Sequence, residues 1–206
     1  MCSWIQWFLV LEGIEDAIDS WAQDVLQAQN DSIIDIQSGH GWKELWNDAS
    51  EACDTLRLLF LLFADWFNPR YNNLSGKQES MGIVALSCLN LPPSICHKLP
   101  HLFLSGIMPG PQVANMTPIS YHLMPLVDDL LHFKDAVEIP TFQRPNGRMI
   151  QVGLLTIVRD SGATHKVGGF AAHSATYFCT WCLMTDSKIS KLKCGQQQEG
   201  RRVENS

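Results

Sequence analysis

Two aspartates that each follow an apolar run are the residues of this chain best suited to chemistry. Asp65 follows the run 58–64, and Asp160 follows the run 152–159. Two strands that each end at an aspartate can hold two carboxylates side by side, and carboxylate oxygens bind hard divalent cations such as Mg²⁺. Cations held in this way support phosphodiester cleavage. The pattern therefore predicts a metal site, although an aspartate that ends a strand is also a common turn residue.

A second group of candidate ligands lies near the C-terminal end of the sequence. Cys179 and Cys182 form a C-x-x-C pair, which supplies half of the four ligands that zinc needs. His165 and His173 lie upstream and can complete such a site, and Cys194 is a further candidate. The alternatives are inert thiols and a redox pair. The redox reading needs a βαβ unit around the motif, and the sequence shows none.

An adjacent pair of acids, Asp128 and Asp129, looks like another carboxylate site. The two residues fall on a predicted helix, where neighbouring side chains point about 100° apart. They cannot easily share one metal ion. We therefore expect them to form part of a solvated helix face.

Composition favours a folded protein kept in a reducing compartment. Hydrophobic residues make up 46% of the 206 residues and charged residues 17%, which is typical of a chain with a packed core. The seven cysteines are irregularly spaced, which argues against a disulfide framework. The start of the chain lacks the basic segment of a signal peptide. We expect location in the nucleus or cytoplasm, without secretion or membrane insertion.

The net charge of −6 is unevenly distributed. Residues 1–55 hold eleven acids and one base, Lys43, so they carry −10, and residues 56–206 carry the remaining +4. The acidic residues 1–55 should not bind nucleic acid, whereas residues 56–206 can bind it. This difference separates an acidic N-terminal segment from the rest of the chain.

The N-terminal segment has the periodicity of an amphipathic helix. Over residues 4–28, apolar residues recur at spacings of three and four, and Gly13 can divide this helix in two. A stripe this apolar should dock onto the core or onto a protein partner. Its members are Trp4, Trp7, Phe8, Leu11, Ile14, Ile18, Trp21 and Val25.

From Leu56 onward the pattern predicts short strands and one helix. The predicted elements are strands at 56–64, 81–89 and 101–107, a helix from 117 or 118 to about 137, a loop at 138–147 and a strand at 149–159. This order matches the first half of a ribonuclease H-like fold. There the first three strands form an antiparallel meander, and the fourth lies parallel beside the first. The prediction is therefore an α/β protein with a partial ribonuclease H-like core and an N-terminal helical appendage.

Several ordered motifs resemble those of the transposases of CACTA (En/Spm) elements, most closely the transposase-like proteins of mushroom-type fungi. The resemblance covers roughly residues 5–185. The motifs that carry it are Asp65–Pro69, Cys88–Pro93, Gly106–Pro111, Pro125–Leu131, Thr164–Ala175 and Phe178–Cys182.

The resemblance implies a metal-dependent DDE-type nuclease and strand transferase that acts on DNA at transposon ends. It places the first acid at Asp65 and the second at Asp160, with Mg²⁺ or Mn²⁺ as the ancestral ion. The third acid of the family is a glutamate much further downstream. Glu199 and Glu204 lie in a polar stretch without helical pattern and are not assigned to that role. We therefore expect a truncated and inactive transposase remnant.

Two alternatives remain open from the sequence. The chain can be a domesticated, non-enzymatic module that binds DNA, or binds protein through its Trp-rich helix. It can also be an incomplete gene model of a full transposase. In each case the predicted organisation is the same: an acidic helical appendage at 1–55, a partial transposase core at 56–186 and a polar, disordered tail at 187–206.

Overall fold

Alternating burial along one long strand organises the molecule. The computed structural model describes residues 1–27, 35–42, 55–67, 81–108, 116–158, 176 and 185. In strand β1, Leu56–Phe67, the even-numbered side chains up to Ala64 are buried, and the odd-numbered ones are partly exposed. This period of two arises because successive side chains point to opposite faces of a sheet. We call the face of the even-numbered residues the core face and the other one the second face.

The described residues form a mixed α/β structure with one five-stranded sheet and a few helices. The helices are α1 (Cys2–Leu9), α2 (Ile14–Gln27) and α3 (Met116–His132), with short 3₁₀ turns at Ile36–Ser38, Leu99–His101 and Phe133–Asp135. The other strands are β2 (Met81–Cys88), β3 (Leu102–Met108), β4 (Val137–Ile139) and β5 (Arg148–Val158). None of these helices is long and apolar enough to cross a bilayer.

The sheet has the strand order β3-β2-β1-β5-β4. The first three strands form an antiparallel meander, as predicted. The chain then passes through α3 and returns as β5, which pairs with β1 in parallel. A parallel pair needs a long crossover connection, and α3 lies within it. The expected neighbours β1 and β5 are therefore adjacent in the structure.

The N-terminal helices pack directly on the core face. Ile5, Phe8 and Leu9 of α1 and Ile14 and Ile18 of α2 are buried in the same cluster as the even-numbered residues of β1. The ring of Trp4 stacks on that of Phe8, with centroids 4.8 Å apart, and it also contacts the rings of Phe60 and Phe103. The predicted stripe thus docks onto the core through Trp4, Phe8, Ile14 and Ile18, and the core also buries Ile5 and Leu9, which the stripe did not include.

The predicted division of the helix at Gly13 is present. Helix α1 ends at Leu9, α2 begins at Ile14, and Gly13 has a φ of +83°. Glycine adopts this left-handed conformation without steric cost, so the chain can turn sharply between the helices. Burial does not follow the predicted stripe throughout, since Trp7 in α1 is 45% exposed, next to the buried Phe8.

The structure corrects three predicted boundaries. Strand β1 does not end before Asp65 but continues to Phe67, because Trp66 and Phe67 pair with Gly82 and Met81 of β2. The helix predicted to reach about 137 ends at His132 and is followed by a 3₁₀ turn. The predicted loop at 138–147 begins inside β4, which pairs antiparallel with β5. A three-residue edge strand is too short to show a period in the sequence.

Candidate functional site

Asp65 lies on the second face of the sheet, near the end of β1. Its side chain is partly exposed, and by register it is opposite Ile83 of β2. The backbone N–H of Trp66 donates a hydrogen bond of 2.8 Å to Oδ1 of Asp65. This local bond orients the carboxylate at the strand end.

A glycine allows the end of β1 to pack as it does. Trp66 points to the core face, where its indole lies over Gly82, its partner in the register. A Cβ atom at Gly82 would lie 2.7 Å from the indole Nε1 and 2.8 Å from Cε of Met108, closer than real Cβ contacts come. The absence of a side chain at Gly82 therefore lets Trp66 anchor the strand segment that carries Asp65.

The pairing of β1 with β5 determines which part of β5 lies near Asp65. The last pair in this register joins Phe63 to Val158. Asp65 is two residues beyond Phe63 on β1, and Asp160 is two residues beyond Val158 in the sequence. Neighbouring strands lie about 4.8 Å apart. The structure thus brings the two strand ends together, while Asp160 itself lies outside the described residues.

The surroundings of Asp65 on the second face are apolar. Its neighbours by register among the described residues are Phe63, Phe67, Met81, Ile83 and Ala85. A partly exposed carboxylate among apolar side chains is a common composition of ligand sites, which combine an apolar wall with a few polar groups.

The other predicted ligands also lie outside the described residues. They are Cys179, Cys182, His165, His173 and Cys194. Within the part of the chain that the structure describes, no group of three or more His, Cys, Asp or Glu side chains is arranged to hold a metal ion. The predicted zinc site therefore stays a prediction.

Asn90, within the motif Cys88–Pro93, has a structural role that its sequence did not indicate. Its buried side chain accepts a hydrogen bond of 2.7 Å from the N–H of Leu59 and donates one of 2.9 Å to the carbonyl of Arg57. It satisfies the backbone of β1 just beyond the end of β2. The signal that could have indicated this role is an asparagine two residues after the strand and two residues before a pair of prolines.

A buried ion pair links α2 to the start of β5. Arg148 donates from Nη1 to Oε1 of Glu15 over 2.9 Å, and the backbone N–H of Gln143 donates to Oε2. Glu15 is only 2% exposed. The sequence did not reveal this contact, because 133 positions separate the partners.

The acidic pair on α3 behaves differently from the prediction. Asp128 is exposed, as expected, but Asp129 is partly buried and its Oδ2 accepts a hydrogen bond of 2.7 Å from the amino group of Met1. The two side chains have different surroundings because they point in different directions from the helix. Asp129 thus contributes to the packing of α1 against α3.

Cys88 is fully buried in the core cluster. Burial raises the pKa of its thiol to about 12, and hydrogen bonds from the backbone of Asn90 and Leu91 oppose that rise. Burial also raises the pKa of the Cys96 thiol, while a hydrogen bond with Ser87 lowers it. Neither thiol is suited to nucleophilic chemistry, because the reactive form is the thiolate.

Comparison with protein families identifies the chain. The model of transposase family tnp2 matches residues 34–198, which is well over half of the sequence and includes both Asp65 and Asp160. No curated protein matches the chain. The extent of the family match shows that this chain belongs to transposase family tnp2.

Proposed function

We propose that this chain carries the first part of a metal-dependent DDE-type catalytic core of the CACTA (En/Spm) kind, close to the transposase-like proteins of mushroom-type fungi. Membership of a transposase family implies DNA as the ancestral partner. In this proposal Asp65 and Asp160 are the first two acidic metal ligands. The observation that carries it is the parallel pairing of β1 and β5, whose last pair lies two residues before each aspartate.

The topology supports a ribonuclease H-like core. Three antiparallel strands, a helix and a strand parallel to the first follow one another along the chain, with the first strand in the middle of the sheet. The short β4 adds to the edge of β5 without changing this order. The arrangement leaves β1 and β5 as direct neighbours, as a pair of metal ligands on these two strands requires.

The chemistry of Asp65 fits a hard divalent cation. Its carboxylate is partly exposed and held by the N–H of Trp66, and oxygen ligands of this type bind Mg²⁺ and Mn²⁺. When bound, such ions activate a water or a 3′-hydroxyl and stabilise the leaving oxygen of a phosphodiester. Asp65 would hold the ion from β1, and Asp160 would do so from the segment after β5.

A polypeptide of these 206 residues should bind the ion weakly and lack cleavage activity. Mg²⁺ requires a nearly complete octahedral shell, and two carboxylates supply a small part of it. This part of the proposal concerns the isolated chain. In this proposal DNA cleavage is an activity of the ancestral, complete catalytic core.

Titration with Mn²⁺, followed by electron paramagnetic resonance of the free ion, tests the shared site. Asp65→Asn and Asp160→Asn should each weaken binding by a similar factor, and the double variant should add little, because residues that act on one ion are not additive. Asp128→Asn, which changes an exposed acid on α3, serves as the matched control. Two independent effects that add in the double variant would contradict a shared ion.

We also propose a zinc site formed by Cys179, Cys182, His165 and His173. The support is the ligand chemistry of the C-x-x-C pair and the two upstream histidines. Metal analysis of the purified chain should find close to one zinc per chain, and Cys182→Ser should lower that content. A content below about 0.2 per chain would favour inert thiols, since a structural site fills stoichiometrically.

A further inference from the structure

The buried face of β5 changes in the middle of the strand. Ile150 and Val152 are buried in the core cluster, where they pair with Leu56 and Leu58 of β1. Further along β5, Ile157 packs against the same cluster. Side chains of a regular strand alternate between two faces, so residues five positions apart, as Val152 and Ile157 are, would lie on opposite faces. The alternation of β5 is therefore interrupted between these two residues.

A one-residue bulge at Leu155 accounts for the interruption. Phe60 of β1 pairs with Leu154, but the next residue, Leu61, pairs with Thr156. Leu155 is thus an extra residue in β5 without a partner in the register of β1. An extra residue shifts the alternation by one, and every side chain that follows it changes to the other face of the sheet.

The shifted alternation decides which residue after β5 meets Asp65. Val158 pairs with Phe63, which is on the second face and precedes Asp65 by two residues. Two further pairs in the same register put Asp160 opposite Asp65, across a strand separation of about 4.8 Å. Without the shift, Arg159 would be opposite Asp65, and Asp160 would belong to the core face.

We propose that the bulge at Leu155 is a positioning element of the acidic site. It lets β5 bury Ile150 and Val152 in the core and still turn Asp160 to the face of Asp65. Bulges next to active sites re-aim side chains in this way. The inference rests on the proposed function, in which the two acids hold one ion. Leu155 acts through the register of the strand, so it is a positioning residue and not a ligand.

Disulfide trapping tests the register without any metal. The full chain is prepared with Asp65→Cys and Asp160→Cys, and separately with Asp65→Cys and Arg159→Cys. After mild oxidation, peptide mass spectrometry identifies each bond apart from those of the seven native cysteines. The 65–160 bond should exceed the 65–159 bond by about tenfold, because cysteines that point apart cannot be bridged without backbone movement. Phe63→Cys with Val158→Cys, a pair within the register, is the positive control.

Two changes of one residue in the same strand form a matched comparison. Deletion of Leu155 removes the residue without a partner, so the 65–160 bond should persist. Insertion of one alanine between Val158 and Arg159 should abolish that bond and favour the 65–159 bond. In chains that keep both acids, the insertion should also abolish the coupling of Asp65 and Asp160 in the Mn²⁺ titration, whereas the deletion should preserve it. A purely structural role of the bulge would not move the bond from one position to the other.

Thermal melts establish that the deletion and insertion variants are folded, and the cysteine pairs of native length keep the test decisive if either is not. Absence of the 65–160 bond at native length would overturn the inference, whether position 65 pairs with 159 or with neither. A 65–160 bond that survives the insertion would overturn it as well, since the register would then not select the partner of Asp65.

The two measurements also separate this inference from the proposed function. If the 65–160 bond forms but the Mn²⁺ titration shows independent effects of the two acids, the metal-site proposal fails and the role of the bulge stands. If the bond is absent but the titration couples Asp65 to Asp160, the metal-site proposal stands and only the inference about Leu155 fails.

Discussion

At the scale of single residues, Asn90 shows how a family motif can serve structure instead of catalysis. The side chain bridges the N–H of Leu59 and the carbonyl of Arg57, where β1 has no strand partner on that side. Asn90→Ala leaves both backbone groups without this partner in a partly buried place. Unsatisfied buried polar groups cost about 1–3 kcal/mol each, so the free energy of unfolding should fall by about 2–4 kcal/mol.

Urea denaturation of Asn90→Ala beside Asn146→Ala measures this effect. Asn146 is exposed in the turn before β5, and its replacement should change the free energy of unfolding by less than about 1 kcal/mol. Similar stabilities of the two variants would show that water replaces the lost hydrogen bonds of Asn90.

The buried thiol of Cys88 predicts a dependence of stability on alkaline pH. In the unfolded chain this thiol titrates near 9.0, while burial raises its pKa in the folded protein to about 12. Between these values the unfolded state binds fewer protons than the folded state, so stability falls as pH rises above about 9. The contribution is fully present below that pH, and its slope approaches about 1.4 kcal/mol per pH unit.

Denaturation between pH 8 and pH 11 tests the role of Cys88. Cys88→Ala should show a flatter decline of stability with pH than wild type, whatever its stability at pH 8. Cys2→Ala, which changes a partly exposed thiol, is the control and should keep the wild-type slope. A Cys88→Ala slope identical to that of wild type would assign the alkaline loss to other groups.

At the scale of elements, two adjacent aromatic residues of α1 have different environments, because one packs in the core and the other is exposed to solvent. Phe8 is fully buried under the ring of Trp4, whereas Trp7 is 45% exposed. Phe8→Ala should lower the free energy of unfolding by about 3–5 kcal/mol, the usual cost of deleting a buried aromatic side chain. Trp7→Ala should cost much less, about 1 kcal/mol, although tryptophan is the larger residue.

Chemical denaturation of both variants provides the measurement. If Phe8→Ala melts like wild type, α1 does not contribute to the folded core. If Trp7→Ala instead changes the association state in sedimentation, the exposed part of α1 contacts another protein. Such a protein partner for the Trp-rich helix stays a prediction.

The N-terminal helices also show why periodicity alone predicted only some of the side chains that are buried. A continuous helix over 4–28 would place Trp7 and Phe8 on one apolar side together with Trp21. The left-handed Gly13 reorients α2, and the ring of Trp21 then donates its Nε1–H to Asp35 over 2.7 Å. The side of each helix that is buried depends on how the helix packs against the sheet. Sequence spacing does not contain that information.

At the scale of the whole molecule, the isolated chain should not nick DNA. Asp65 and Asp160 provide two carboxylates, and a loosely held ion loses most of the rate that positioning provides. The test is a nicking assay on supercoiled plasmid with Mg²⁺ or Mn²⁺, with wild type beside Asp65→Ala. Neither protein should show metal-dependent nicking.

Comparison with Asp65→Ala shows the origin of any nicking that is observed. Nicking by wild type that disappears in Asp65→Ala would establish an active nuclease and contradict the proposed inactivity of the chain. Nicking that survives in Asp65→Ala would identify a contaminating enzyme, because the proposed site would then be incomplete.

The sequence by itself determined the features that depend on local pattern. The apolar runs of β1, β2, β3 and β5 and the helical spacing of α3 predicted these elements and their order along the chain. Run length and spacing are properties of consecutive residues, so they can be read without knowledge of the fold. The motifs around Asp65 and Asp160 likewise indicated a transposase before any contact was known.

Only the tertiary structure decided the features that depend on residues distant in sequence. Strand β1 passes through Asp65 because β2 offers Gly82 and Met81 as partners, and β4 exists because β5 offers it an edge. Arg148 pairs with Glu15, and Phe8 is buried where Trp7 is not. Each of these outcomes depends on the energy of a pairing or packing contact that forms only when the chain folds. The spacing of residues along the sequence does not show which distant residue will be the partner.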